Sequence, residues 1–240
     1  MDFELIAEAF PKLIGGIDET LILAGSSLII GFILAVPIAL MNLSRHASLR
    51  SIATGYVYIF RSTPLLVQIF LIYYGSGQFR DAFEAIGLWS LFRESWFCAI
   101  FAFTLNTAAY TSQIIRGGLQ SVPAGQIEAA RAVGMSSSLT FRRVVFPVAI
   151  RQALPAYGNE IILLVKATSL ASTITILEVT AVAKKIIAAT YQPIEVFLIA
   201  GAIYLTINFV ITRGVMLVEH WLNPHLRNAQ ATNNSAAIIR

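Results

Sequence analysis

Charge is the scarcest commodity in this sequence. Only 12% of its 240 residues are Asp, Glu, Lys or Arg, while 57% are hydrophobic; a soluble domain carries roughly 25% charged residues. The shortage excludes an ordinary water-soluble domain, and a net charge of +4 calls for no nucleic-acid partner. Cysteine occurs once, as Cys98 inside an apolar run, so disulfides are not part of the design. The three histidines, His46, His220 and His225, are scattered, and neither HExxH nor GxSxG occurs, which removes the common metal and serine hydrolase readings. No GxxxxGK[ST] phosphate loop is present, so the chain cannot be its own ATPase.

Long apolar runs are what it has instead. A spanning helix needs about 20 mostly apolar residues. Segments 20–41 and 96–115 carry no charge; 52–74 carries only Arg61, 161–177 only Lys166, and 196–218 only Arg213. These five segments predict an all-α membrane protein with five transmembrane helices. The first run is too long for a cleaved signal, and acidic rather than basic residues precede it, so the mature chain is expected to start near Met1.

Lys and Arg collect in cytoplasmic loops, and the loops alternate in that sense. Residues 1–18 hold Asp2, Glu4, Glu8 and Asp18 against Lys12, whereas the next loop holds Arg45 and Arg50 with no acid. Segment 116–157 holds five arginines against Glu128, and Glu178 and Glu195 balance Lys184 and Lys185 in the last outer loop. The expected topology is a periplasmic segment 1–18, a membrane domain 19–222 and a cytoplasmic, disordered tail 223–240.

One polar stretch, SVPAGQIEAARAVGMS (121–136), breaks the lipid-soluble pattern. Pro123 suits the start of a helix and Gly134 the left-handed position just past its end. Ala129, Ala130 and Ala132 keep the helix between them slim. On the residues alone it reads equally as a solvated loop helix or as a docking surface. A second short helix is expected from Ser138, with Pro147 and Pro155 limiting later helices.

Glu128-Ala129-Ala130, Gly134 and Val144-Val145-Phe146-Pro147, at this spacing, resemble the EAA loop of ABC importer permeases, with Val144 and Phe146 as conservative departures from Ile-x-Leu-Pro. FRSTPLLVQIFLIYYG (60–75) resembles the RGTP-containing second span of polar amino-acid permeases, with Ser62 in place of Gly. Segments 105–135 and 153–193 are similar to the M-type subunits of histidine, lysine, arginine and ornithine importers and of opine importers. The resemblance covers about 15–225. It implies a type I ABC importer permease fold in which 121–147 forms a cytoplasmic coupling helix, with Glu128, Ala129, Ala130 and Gly134 at the ATPase contact. It implies a pair of ATP-binding subunits, a second and non-identical permease and a periplasmic solute-binding protein. ATP and Mg²⁺ would belong to the ATPase, leaving this chain without cofactor or catalysis.

Intramembrane polar groups point by default to a pathway or ligand site. Glu160 is expected at the cytoplasmic start of the fourth span, after Pro155 and Gly158, either holding a cationic substrate or stabilising a helix N-terminus; Asn159 either supports it or caps that helix. Asn106 and Tyr110 share one face of the third span and suit ligand contact or helix adhesion. Arg61, Ser62, Thr63 and Pro64 interrupt the second span, where proline removes a backbone donor and Thr63 can satisfy freed groups; Thr63 facing substrate follows from the resemblance. Arg61 meets a substrate carboxylate or another protein group. Lys166 is expected to pair or snorkel, and Thr168, Ser169, Ser172 and Thr173 to pack along a dimer seam. The function so implied is import of polar amino acids, basic ones or opines, across the inner membrane. The alternative is an ion-coupled transporter or channel; such proteins commonly show inverted repeats, and none is evident here.

Overall fold

Residues 95–120 put Ala99, Ala102, Thr104, Asn106, Thr107, Ala108, Ala109, Thr111 and Ser112 at buried positions. Side chains this small let helices approach closely in a membrane, and this helix is accordingly the axis of the fold. The computed structural model describes residues 3–222. In chain order it has α1 (Phe3–Ile14), α2 (Ile17–Asn42), α3 (Ala47–Ser62), α4 (Leu65–Gln78), two short helices α5 (Arg80–Ala85) and α6 (Trp89–Phe92), α7 (Ser95–Gln120), α8 (Ala124–Ala132) and α9 (Ser137–Thr140). A π-helical turn (Phe141–Val145), α10 (Phe146–Ala167), a 3₁₀ segment (Thr168–Ile174), α11 (Val179–Thr190) and α12 (Pro193–Leu222) follow. No strand occurs among the described residues.

α7 packs on α2, α10, α4 and α3. Gly31 of α2 lies so close to the Thr107 methyl that a Cβ there would force it aside, and a Cβ on Gly118 would stand 2.7 Å from the Ala149 carbonyl oxygen. By length and composition, the stretch Glu4–Asn42 and α12 suffice to cross a membrane, and the bent pairs α3/α4 and Ser137–Ile174/α11 raise the number to as many as four. α7, on the third predicted span, is not among them. Helices rather than lipid surround it, so its face tolerates hydroxyls and amides that a lipid-facing helix would not.

The structure corrects or refines four sequence readings. Pro155 does not limit a helix: α10 runs unbroken from Phe146 with Pro155 inside it, which a membrane helix tolerates when neighbours satisfy the freed carbonyl. Residues 179–190, read as an outer loop, form α11. The segment before the first span is helical as α1, and its Ala9 and Leu13 pack against Val179, Val196 and Ile199. Glu178 does not offset the lysines either: it is fully buried and caps α11, accepting from the backbone N–H of Thr180 and Ala181, each at 2.8 Å, and from Tyr204 Oη at 2.6 Å. Tail residues 223–240 lie outside the described residues.

Removing this buried cap leaves two amides and a phenol without their acceptor. Glu178→Ala should cost about 3 kcal/mol, seen as a large fall in the melting temperature of the purified protein; an unchanged melting curve would contradict the capping role.

Candidate translocation and coupling sites

Proline breaks the second span where the sequence indicates. Pro64 has no N–H and pushes the residue before it into extended conformation; Thr63 takes φ −109°, ψ 142°, and α3 and α4 meet at 100°. The break frees carbonyls that lipid cannot satisfy. Gln68 Nε2 serves them, donating to Phe60 O (3.0 Å), Thr63 O (3.1 Å) and Thr63 Oγ1 (2.7 Å). Asn106 Nδ2 donates to Phe60 O (3.2 Å) and to Gln68 Oε1 (3.0 Å). Asn106 and Thr63 are therefore engaged in holding the elbow, which is their structural occupation whatever else they touch. Gln68→Ala removes the donor to Thr63 O and one of the two donors to Phe60 O and should lower stability by roughly 2 kcal/mol, whereas Asn106→Ala, which leaves Gln68 in place for both carbonyls, should cost less; equal melting temperatures for both variants and the wild type would contradict this.

Glu160 lies within α10, buried to 7% exposure, and accepts from Thr107 Oγ1 at 2.7 Å. It is not at a helix N-terminus, so the end-stabilising role read for it does not apply. Asn159 is exposed and within the helix, so it neither caps α10 nor joins Glu160. One turn beyond Thr107, Tyr110 stands beneath the Arg61 guanidinium, 5.0 Å from ring centre. Arg61, Ser62, Tyr58, Thr54, Val57 and Tyr110 surround a cavity of about 360 Å³. The elbow, the buried Glu160 carboxylate and the exposed Arg61 guanidinium thus each border α7, through Asn106, Thr107 and Tyr110 in turn.

The hydroxyl stripe is occupied locally: Thr168, Ser169, Ser172 and Thr173 each donate to the carbonyl three residues back. Their expected place along a dimer seam is not needed to explain them. Lys166 is exposed and forms no ion pair among the described residues.

At the other functional locus, α8 ends in a full Schellman closure. Gly134 takes φ +81°, its N–H reaches Arg131 O at 3.0 Å, and Met135 N–H reaches Ala130 O at 3.0 Å. Glu128, Ala129 and Gly134 lie on the surface, while Ala130 is buried against the chain itself. Ala130 thus packs inward, unlike Glu128 and Ala129 beside it. Sequence reasoning missed Gln68 and Thr107, since a lone amide or hydroxyl in an apolar run carries no periodic signal.

This elbowed helical bundle with a capped polar helix between its third and fourth long segments has the fold of type I ABC importer permeases. Residues 27–224 match the binding-protein-dependent transport system inner membrane component, and the chain belongs to that family. It is a permease of a binding-protein-dependent importer and a multi-pass inner-membrane protein. It is 68% identical over 227 residues to the nopaline transport system permease protein NocM of Agrobacterium fabrum (strain C58), covering 95% of this chain and 94% of that one. It is 53% identical over 223 residues to the octopine transport system permease protein OccM of Rhizobium meliloti, with 93% and 91% covered. The arginine ABC transporter permease protein ArtM of Escherichia coli K12 is 41% identical over 212 residues, 88% of this chain and 95% of that one. Among solved structures, an amino acid ABC transporter crystallised with histidines superposes with a TM-score of 0.79 at 33% identity, over 92% of this chain and 98% of that chain. The inward-facing MetNI methionine transporter (TM-score 0.70, 20% identity, 88% and 96% covered) shares the fold.

Proposed function

We propose that this chain imports opines or basic amino acids, with Glu160 as the group that receives the substrate's cationic end. The buried Glu160 carboxylate carries the reading. A buried charge is costly unless paired, its one side-chain donor here is the neutral Thr107, and a guanidinium or ammonium supplies the missing charge. The likeness to nopaline, octopine and arginine permeases supports the same class. In this reading the chain is not itself catalytic. A pair of ATP-binding subunits, which hold ATP and Mg²⁺, dock on the exposed face of α8 at Glu128, Ala129 and Gly134. A second, non-identical permease completes the pathway, and a periplasmic binding protein delivers the substrate. The N-terminus is periplasmic and the C-terminus cytoplasmic, which puts the arginine-rich 116–157 segment inside. Alternating access then comes from rocking one bundle against the other between two discrete states.

Competition for uptake tests the substrate class. In cells expressing the chain with its partner subunits, labelled nopaline uptake should be displaced by unlabelled octopine or arginine and not by glutamate. Glutamate competing as strongly as arginine would overturn the assignment of a cation-receiving site.

A further inference from the structure

A second cavity, of about 480 Å³, opens between α2, α7, the π-turn and α10. Its wall is wholly apolar, formed among others by Phe32, Val36, Leu40, Leu119, Phe146 and Ile150. A polar substrate has no partner there, and water in so apolar a space lacks the polar groups that hold it. Phe32, Leu40 and Phe146 of its wall are exposed, so the cavity opens at the surface, and hydrocarbon is the filling that matches the wall.

Its depth and its charged end narrow the occupant further. From Phe32 to Leu40 the wall runs about 12 Å along α2, close to the ~15 Å hydrocarbon depth of one leaflet. It ends where α2 and α7 finish and the π-turn begins. Phe146 N–H bonds Phe141 O across that turn, widening it just before Pro147, and the Phe141 and Phe146 rings, 6.0 Å apart, both face the cavity. Four arginines adjoin wall residues along the chain: Arg45 five positions after Leu40, Arg116 beside Ile115, and Arg142 and Arg143 between Phe141 and Phe146. None forms an ion pair among the described residues, and the Arg116 Nε is buried with no hydrogen-bond partner. Glu128 of α8, which packs on the π-turn, is the one acid in residues 95–159 and forms no ion pair among the described residues, and residues 20–80 hold none, so positive charge predominates here. Basic pockets between membrane helices are suited to anionic lipid headgroups.

We propose that this cavity is a binding site for an anionic phospholipid: one acyl chain fills the apolar space and the phosphate meets the arginines around the π-turn. The site faces the leaflet on the side of α8, and Glu160 is not part of its wall although Tyr157, one turn before it, is, so the proposal does not depend on which substrate is carried.

The test uses the chain purified with its partner subunits, passed through nanodiscs of equal phosphatidylglycerol and phosphatidylethanolamine, re-extracted and weighed by native mass spectrometry. The wild type should retain phosphatidylglycerol in preference to phosphatidylethanolamine. Losing two cationic contacts in R142Q/R143Q should weaken that retention about 30-fold. Ile150→Trp, which fills the cavity from an exposed position, should abolish retention of either lipid; if that variant does not assemble, Val36→Trp fills it from the facing helix. Equal retention of both lipids, no lipid on the wild type, or full phosphatidylglycerol retention in R142Q/R143Q would overturn the proposal. The last of these, with the ATPase lost instead, would assign the two arginines to the ATPase contact.

Discussion

Glu160→Gln should reduce uptake of cationic substrates by about 100-fold while leaving the protein folded and its partners bound. Glutamine keeps the size of glutamate and still accepts from Thr107 Oγ1, which now stands 2.7 Å from the carboxylate. Only the charge is lost. The substrate's guanidinium or ammonium would then enter a low-dielectric site with no counter-ion. The loss should scale with substrate charge, so a neutral analogue that enters the site should be affected far less. Thr107→Val provides the graded companion: the carboxylate remains but loses its donor, and uptake should fall by about 10-fold or less. Radiolabelled uptake in proteoliposomes with the matched binding protein measures both. Wild-type kinetics in Glu160→Gln would remove this residue from the pathway.

The other large effect belongs to α8. Gly134→Pro should abolish ATP-driven uptake while the membrane bundle stays assembled. Proline fixes φ near −65°, incompatible with the +81° observed. It also deletes the N–H that reaches Arg131 O, so the Schellman closure fails and the exposed face of α8 loses its shape. Gly134→Ala keeps the N–H and meets open space around a Cβ, leaving only the left-handed strain of about 1–2 kcal/mol; partial uptake should survive. Ala129→Asp changes no backbone bond, because residue 129 is exposed, yet places a charge and bulk on the proposed contact. Its expected signature is loss of the ATPase on co-purification with an unchanged melting temperature. Uptake at the wild-type rate in Gly134→Pro would contradict the coupling role of this loop.

Backbone punctuation was the most legible part of the sequence. Pro64 announced the elbow because its missing N–H and its effect on Thr63 are local, and Gly134 announced the end of α8 for the same reason. Pro155 misled, since the cost of an interior proline depends on neighbours that no local rule contains; the error moved Glu160 to a helix end when it lies well inside α10. Glu178 was misplaced because glutamate is outside the usual set of N-cap residues, and its phenol partner Tyr204 lies 26 positions away in the chain. Gln68 was silent for a similar reason. Its partners stand 5, 8 and 38 positions away, and only the folded chain brings them together. Arg61 and Tyr110 were each suspected singly, but their stacking required the elbow to turn α3 toward α7.

Cross-linking of single-cysteine variants tests the coupling claim most directly. The native cysteine, Cys98, is fully buried, so one introduced on α8 is the accessible thiol for a maleimide photocross-linker. With the complex purified from native membranes, Ala129→Cys, on the exposed face, should yield an adduct with an ATP-binding subunit. Ala130→Cys, facing the chain's own interior, should yield none. Adducts of equal yield from both positions, or from neither while uptake continues, would contradict a motor gripping this helix.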